Sequence, residues 1–410
     1  MSFKMSDMRN SFLDALFFHR LHALSLAALT VLSFPVLAQS ASPTTLEQRF
    51  KQRAGMEEQQ GRFIAAEKIW QKSLGYLHGA ALATAYAHLG FDQTQAQQYA
   101  EAITSYHQAL QLTPSMQNLN IALGICYFKT GQFSAAILFF QRALHQDRSS
   151  LRLIILLGMS YYGASQFRPA VEYLEEASQR EPTNAALRLP LAQACLWSKQ
   201  FDCVLSTYRQ ILALNANSAE ADMLAGEAYS AEGMNDLATK QFREAVAANP
   251  GLPQAHFGLG YLLWMARNYP QAIAEFRSEL ALNPNDAQSL TYLGDALLQE
   301  GETAEATNTL QEAIAIQPKT ELALQDLGLM SESKNDLQEA LHYYQSAIQI
   351  APHNTDPRWR LARLYQKLGQ QKLARIQFAE VGKIKHQAAE SLYLKMAGSR
   401  IAQTATPTPH

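Results

Sequence analysis

The stretch that decides the fold is residues 287–320, which read AQSLTYLGDALLQEGETAEATNTLQEAIAIQPKT. Its eighth place holds the small residue Gly294, its twentieth holds Ala306, and the large apolar Leu310 follows four places later. Segments of the same length with the same three features precede and follow it. A fixed period of 34 residues indicates a stack of similar supersecondary units, because a single globular core has no such period.

Three sets of residues recur at this spacing along most of the chain. The twentieth places hold Ala66, Ala102, Ala136, Ala170, Val204, Ala238, Ala272, Ala306, Ala340 and Ala374. The eighth places hold Ala54, Gly90, Gly124, Gly158, Ala192, Gly226, Gly260, Gly294, Gly328 and Ala362. The twenty-fourth places hold Trp70, Tyr106, Phe140, Leu174, Tyr208, Phe242, Phe276, Leu310, Tyr344 and Phe378. Small residues let two helices approach closely, and the bulky residue fills the gap one turn away.

The turns between these helices are marked by residues that end helices. A proline column, which stops the second helix of a copy, contains Pro114, Pro182, Pro250, Pro284, Pro318 and Pro352. The turn inside a copy is marked by Gly61, Gly131, Gly233, Gly301, Asn335 and Gly369. Each copy is therefore predicted to be helix, short turn, helix, short turn. Ten copies start at Glu47, Ala83, Gln117, Leu151, Ala185, Ala219, Pro253, Ala287, Glu321 and Thr355.

This pattern resembles the tetratricopeptide repeat family in its period, its alanine and proline columns and its Leu-Gly pairs, such as Leu123-Gly124 and Leu293-Gly294. The resemblance covers residues 47–388 and implies an all-α, right-handed superhelical solenoid of about ten 34-residue helix-turn-helix repeats. Pro190 lies inside the first helix of the fifth copy, where we expect it to bend or shorten the helix.

The two ends of the chain differ from the repeats. Residues 1–38 combine a basic start, an apolar run from Leu21 to Leu37 and a small-residue ending, which predicts a secretory signal cleaved after Ala38. The alternative is an uncleaved membrane anchor. Cleavage would leave an exported chain, periplasmic or extracellular. Residues 39–46 are predicted to be a flexible linker, and residues 389–410 a capping helix with a disordered tail.

The charge distribution limits the partners. Residues 39–410 carry 31 basic and 34 acidic side chains, a net charge of −3, which argues against nucleic-acid binding. From residue 355 onward, however, the chain carries ten basic and three acidic side chains, a net charge of +7. This end is either a solvated polar cap or a docking surface for an acidic partner or lipid phosphates. Membrane contact is expected only through this end or through an uncleaved signal.

The sequence contains no catalytic or metal-binding constellation that we could identify. It has no phosphate-binding glycine loop after a strand, and no zinc-binding His-Glu-x-x-His motif. The chain is therefore predicted not to be an enzyme and to need no cofactor or metal. Cys195 and Cys203 lie on the two helices of the fifth copy, and the polar residues in the Cys203 column suggest that the two face different ways. We expect free thiols there, with a bridge as the alternative.

The resemblance also indicates where a partner would bind. In this family the second, fifth, ninth, twelfth and thirteenth places of each first helix face the concave side of the stack. In the middle copies these places are largely apolar, so the predicted partner-binding residues are Ile121, Ile125, Phe128, Ile155, Met159, Tyr162, Leu189, Leu196, Trp197, Phe257, Tyr261, Trp264 and Met265. An apolar face that is exposed in an open stack is expected to be buried by a partner, a ligand or a second copy of the chain. Burial of these side chains within the stack itself is the alternative.

Three functions fit this pattern. The first is a scaffold that binds a protein or peptide segment in an apolar concave groove. The second is a carrier of a hydrophobic ligand or lipid-like chain, which requires a deep and enclosed pocket. The third is self-association through the same surface, and the sequence leaves the oligomeric state open. The polar flanking copies favour the first, since Gln288, Thr291 and Asp295 of the eighth copy would give the groove a polar end.

Overall fold

The computed structural model describes residues 45–404, apart from residues 117 and 216, and their side chains up to residue 391. The predicted signal (1–38), most of the linker (39–44) and the end of the tail (405–410) lie outside these residues. Every regular element of the described part is helical, which confirms the predicted all-α class. None of these helices has the apolar length that crossing a membrane requires.

Each of the ten copies contributes two α-helices, so that odd-numbered helices are first helices and even-numbered helices are second helices. In chain order they are α1 Leu46–Gln59, α2 Phe63–Ser73, α3 Gly79–Gln95, α4 Tyr99–Leu112, α5 Leu119–Lys129, α6 Phe133–Gln146, α7 Leu151–Gly163, α8 Phe167–Arg180, α9 Arg188–Trp197, α10 Phe201–Leu214, α11 Ala219–Ala231, α12 Asn235–Ala248, α13 Ala255–Met265, α14 Tyr269–Leu282, α15 Ala287–Gln299, α16 Thr303–Ile316, α17 Glu321–Ser333, α18 Leu337–Ile350, α19 Thr355–Lys367 and α20 Gln371–Thr404.

The columns of small and bulky residues pack as the sequence predicts. A Cβ atom added to Gly124 would lie 2.5 Å from the ring of Phe140, and one added to Gly294 would lie 2.5 Å from Leu310. Glycine is therefore needed at the eighth place of these copies, since the bulky residue of the second helix occupies the space of a side chain. The alanines of the twentieth places are fully or almost fully buried in the same contacts.

The turn inside every copy contains one residue in the left-handed region. The predicted residues Gly61, Gly131, Gly233, Gly301, Asn335 and Gly369 all have φ between 61° and 87°. The other four copies place a non-glycine residue there, at Gln97, Ser165, Lys199 and Arg267. The hairpin geometry, and not the identity of the residue, therefore sets this backbone conformation.

Pro190 shortens the first helix of the fifth copy, as expected. A 3-10 turn at Ala185–Leu187 precedes α9, which begins only at Arg188. Pro190 thus lies in the first turn of α9, where a backbone N–H has no partner within the helix.

The chain forms two compact units, one up to residue 228 and one from residue 229 onward. The sequence predicts a single solenoid over residues 47–388 and does not reveal this division. The capping helix predicted at 389–398 is not a separate element, because α20 continues from the tenth copy to Thr404 without a break. Thr45, in the predicted linker, caps α1 through a capping box with Gln48.

The prediction of free thiols in the fifth copy is wrong. Cys195 and Cys203 form a disulfide across the turn between α9 and α10, with their Cα atoms 5.8 Å apart. They occupy the eleventh and nineteenth places, which the hairpin brings together. In the ninth copy the same two places hold Ser331 and Glu339, whose side chains are joined by a hydrogen bond of 2.8 Å. A residue at the nineteenth place can therefore face the first helix across the turn, whatever its polarity.

Replacing both Cys195 and Cys203 with serine is expected to lower the free energy of unfolding by about 2–3 kcal/mol, because the bridge closes a short loop of the unfolded chain. Chemical denaturation with and without a thiol reductant measures this effect. The reductant should lower the midpoint of the wild type to that of the variant and leave the variant unchanged. Equal midpoints for the oxidised wild type and the variant would contradict the expectation.

Candidate functional site

The first helices of neighbouring copies contact one another directly. Contacts of this kind join α3 to α5 and α7 to α9 in the first unit, and α13 to α15 and α15 to α17 in the second. The second, fifth, ninth, twelfth and thirteenth places of these helices form the surface that we call the inner face. It is the candidate functional site, and each unit carries its own part of it.

In the first unit, the predicted partner-binding residues are divided between core and surface. Leu196 is only 1% exposed, and Ile125, Met159, Tyr162 and Leu189 are also buried, all in one hydrophobic cluster of copies three to six. The partly exposed members are Ile121, Phe128, Ile155 and Trp197. Only these four present side-chain surface to a partner, so the buried five belong to the fold.

Aromatic residues at the start of the second helices extend this surface. The ring of Phe133 packs edge-on against Phe128 at 5.5 Å, and Phe167 stacks on Trp197 at 5.8 Å. We did not predict Phe133 and Phe167 as site residues. A column of aromatic residues at the seventeenth place, which also includes Phe63, Tyr99, Phe201 and Tyr269, is the sequence signal that identifies them.

In the second unit, α13 carries the most accessible predicted residues. Phe257 is 2% exposed and belongs to the core, whereas Tyr261 and Trp264 are half-buried and Met265 is 44% exposed. The rings of Tyr261 and Trp264 are stacked at 5.9 Å. Tyr292 of α15, which we did not predict, packs edge-on against both of them, at 5.2 and 5.0 Å.

Polar groups follow this aromatic cluster along the inner face. The indole Nε1 of Trp264 donates a hydrogen bond to Asp295, and Gln299 donates a second one of 3.4 Å to the other oxygen of that carboxylate. Asp326, at the sixth place of the next first helix, is also buried. Burial, and then the nearby charge of Asp295, raise the pKa of Asp326 well above its usual range, while the charge of Arg360 opposes the shift.

The last copy presents basic and aromatic groups. Trp359 is 43% exposed, and the guanidinium of Arg363 lies 4.9 Å from the centre of its ring. Lys367, one turn further along α19, is also exposed. An exposed tryptophan stacked with an arginine is typical of residues that anchor protein partners.

The first unit also contains an open depression of about 630 Å³. Its lining comes from α4, α5 and α6 and includes Leu110, Leu138, Arg142 and His145. None of the predicted partner-binding residues lines it. Within the part of the chain that the structure describes, no group of three or more His, Cys, Asp or Glu side chains is arranged to hold a metal ion.

Comparison with known proteins gives a family match over most of the chain. Models of the tetratricopeptide repeat match residues 93–157, 161–228, 263–327 and 333–396, and a further one matches residues 223–287. No curated protein matches the chain.

Solved structures with a similar fold have low sequence identity to this chain. MamA is 22% identical over 40% of this chain and 96% of its own, with a TM-score of 0.36. YrrB, described as a TPR protein with an unusual peptide-binding site, is 23% identical over 46% of this chain and 97% of its own, with a TM-score of 0.41. The C-terminal part of a repeat protein from Cytophaga hutchinsonii is 20% identical over 60% of this chain and 99% of its own, with a TM-score of 0.46.

Proposed function

The chain belongs to the tetratricopeptide repeat family, and from this premise we propose that it is a non-catalytic scaffold whose inner face binds a protein or peptide segment. The observation that carries the proposal is the surface of α13. Tyr261, Trp264 and Met265 lie on one helix and retain exposed area beside the buried Phe257. Aromatic and methionine side chains of this kind supply most of the binding energy at protein interfaces.

The exposed anchors of the inner face lie in several copies. Ile121, Phe128, Ile155 and Trp197 provide apolar surface in the first unit, and Trp359 with Arg363 provides a charged, aromatic surface in the last copy. An extended or helical segment that contacts several copies in succession makes use of such spaced anchors. The buried predicted residues, such as Leu196, hold the helices in place and make no contact with the partner.

A photo-crosslinking amino acid placed at residue 265 tests the proposal. Met265 is 44% exposed on a first helix, and Leu138, 46% exposed on the second helix α6, is the matched control position. We expect covalent adducts with one protein or peptide from residue 265 and none from residue 138, and fewer adducts when Trp264→Ala is added. Equal yields from both positions, or adducts from residue 138 alone, would refute binding at the inner face.

The two alternatives make other demands on the structure. A carrier of a hydrophobic chain needs an enclosed apolar cavity, whereas the depression beside Leu138 is open and has the polar residues Gln141 and Arg142 in its lining. Self-association through the inner face predicts that residue 265 crosslinks to a second copy of this chain. The mass of the adduct therefore distinguishes self-association from binding of another partner.

We also propose that the chain is exported and cleaved after Ala38. The disulfide between Cys195 and Cys203 supports this, because such bridges persist in oxidising compartments. Intact-mass measurement of protein from the exported fraction should give a chain that begins at Gln39. A chain that retains Met1 in a membrane fraction would indicate the uncleaved anchor instead.

A further inference from the structure

The open depression of the first unit lies at the fourth place of a first helix, which Asn120 occupies in copy three. In three other copies the residue at this place is longer and donates a hydrogen bond to the carbonyl oxygen of the proline six residues before it. The donor and acceptor pairs are Arg188 and Pro182, His256 and Pro250, and Arg358 and Pro352. In copy three the shorter Asn120 and the corresponding Pro114 both line the depression, so the space between them is open to a ligand.

Asn120 is a buried polar residue whose side chain is not satisfied. It is 8% exposed, and its amide forms no hydrogen bond with any residue that the structure describes. The arginine, aspartate and histidine residues at the same place in copies five, six, seven and ten all have partners. A buried amide without a partner costs free energy. A ligand that supplies the missing hydrogen bond recovers this cost.

The charged groups in the lining are cationic. Arg142 and His145 of α6 line the depression, and none of the described lining residues is acidic. The guanidinium of Arg142 lies 5.3 Å from the centre of the Phe139 ring, and it forms no ion pair within the described part of the chain. A guanidinium that rests on a ring keeps its N–H edge free for the two oxygens of a carboxylate.

Contacts behind the lining hold these groups in place. Phe139, on which Arg142 rests, stacks on the ring of Tyr127 at 5.4 Å. The side-chain amide of Gln141 donates a hydrogen bond of 2.7 Å to the hydroxyl of Tyr161. The polar side of the depression is therefore organised before a ligand arrives, which lowers the entropic cost of binding.

We propose that the depression binds a small organic carboxylate with an apolar body. Arg142 and the amide of Asn120 donate hydrogen bonds to the carboxylate, and the apolar body packs against Leu110 and Leu138. A volume of about 630 Å³ is in the range of small-molecule sites. None of the inner-face residues lines this site, so the inference goes beyond the proposed scaffold function and does not depend on it.

The probe is hexanoate, which is added to the full chain and followed by saturation-transfer NMR and by calorimetry. We expect hexanoate to bind in a saturable way. Acetate, which lacks the apolar body, and hexanamide, which lacks the charge, should each bind at least about tenfold more weakly. Hexylammonium, which carries the opposite charge, should not bind.

Arg142→Gln should weaken hexanoate binding by about tenfold or more, because a charge-assisted hydrogen bond is lost. Asn120→Leu should weaken binding as well but keep or raise the melting temperature, because an apolar group replaces an unpaired buried amide. A purely structural asparagine would not show this combination. The matched control is Arg209→Gln on the exposed surface of α10, which should leave hexanoate binding unchanged. Circular dichroism checks folding, and Asn120→Ala replaces Asn120→Leu if the latter does not fold.

Hexanoate binding that both variants leave unchanged, or equal binding of hexanamide or hexylammonium, would overturn the carboxylate site. Protein adducts from a crosslinker at residue 138, which lines the depression, would assign the depression to a macromolecule and overturn it too. The two proposals fail separately. Crosslinking from residue 265 without hexanoate binding would refute only the carboxylate site, and hexanoate binding without any crosslinking would refute only the scaffold.

Discussion

An Asp92→Asn variant is expected to be more stable than the wild type at pH 8, on the order of 2–3 kcal/mol, and the difference should shrink toward pH 4. Asp92 is 0% exposed in α3, and neither of its carboxyl oxygens has a hydrogen-bond partner among the described residues. Burial raises its pKa to about 9, and the charges of Glu58 and Glu67 add to the shift. Folding at pH 8 therefore requires this carboxyl group to take up a proton.

The sign of the effect follows from proton uptake. The pKa of this carboxyl group is about 4 in the unfolded chain and about 9 in the folded chain, so between these pH values the folded state binds more protons than the unfolded state. The free energy of unfolding of the wild type therefore falls as the pH rises through this range. Asparagine has a similar volume and stays neutral, but its buried amide still lacks partners, which limits the gain.

Urea unfolding of wild type and variant at pH 5 and pH 8 measures this effect, because the difference between the two proteins isolates Asp92 from other titrating groups. Glu101→Gln, an exposed acid of the same copy, is the control and should change stability by well under about 1 kcal/mol. An Asp92→Asn variant that is less stable than the wild type at pH 8 would show that the carboxylate is ionised and satisfied in the folded state.

Replacing Gly124 with leucine is expected to destabilise the chain by about 3 kcal/mol, the upper end of overpacking effects. A Cβ atom at this position would lie 2.5 Å from the ring of Phe140, which is fully buried and cannot move aside. A leucine side chain extends further into the same space. The third copy would have to separate its two helices or lose its packing.

The matched control is Gly382→Leu in α20, where an added Cβ meets nothing within 4 Å. Leucine is a better helix former than glycine, so this variant should gain up to about 1 kcal/mol. Thermal unfolding, monitored by circular dichroism, measures the change in stability for each of the two variants. The same substitution should thus have opposite signs at the two sites, and equal effects would contradict the packing role of the glycine column.

The repeated columns made most of the fold predictable. Every copy pairs a small residue with a bulky apolar one, as Gly124 pairs with Phe140, so one physical reason, the close approach of two helices, is repeated ten times in the sequence. The left-handed turn residues Ser165 and Arg267 did not follow from the sequence, because the hairpin imposes this conformation on any residue at that place. The disulfide was missed because the direction of the Cys203 side chain was inferred from the polar residue types in its column. The position of a residue in the hairpin, and not its type, decides which way its side chain points.

The candidate site was less predictable than the fold. The family pattern placed Tyr261, Trp264 and Met265 on the inner face, but it could not separate them from buried neighbours such as Phe257. The exposure of a side chain on a first helix depends on how closely the neighbouring copies pack against that helix. This packing is determined by residues of several copies together.

The central claim is that the inner face of the repeats binds a partner through exposed anchors on α13. Its most direct test measures both partner affinity and melting temperature for Trp264→Ala and Phe257→Ala, with the partner that is captured at residue 265. We predict that Trp264→Ala weakens binding by about 2 kcal/mol, roughly thirtyfold, while the protein remains folded. Phe257→Ala should instead cost about 3–5 kcal/mol of stability and keep its affinity at temperatures where it is folded. Loss of binding by Trp264→Ala only in proportion to its unfolding would contradict the claim and make α13 a purely structural helix.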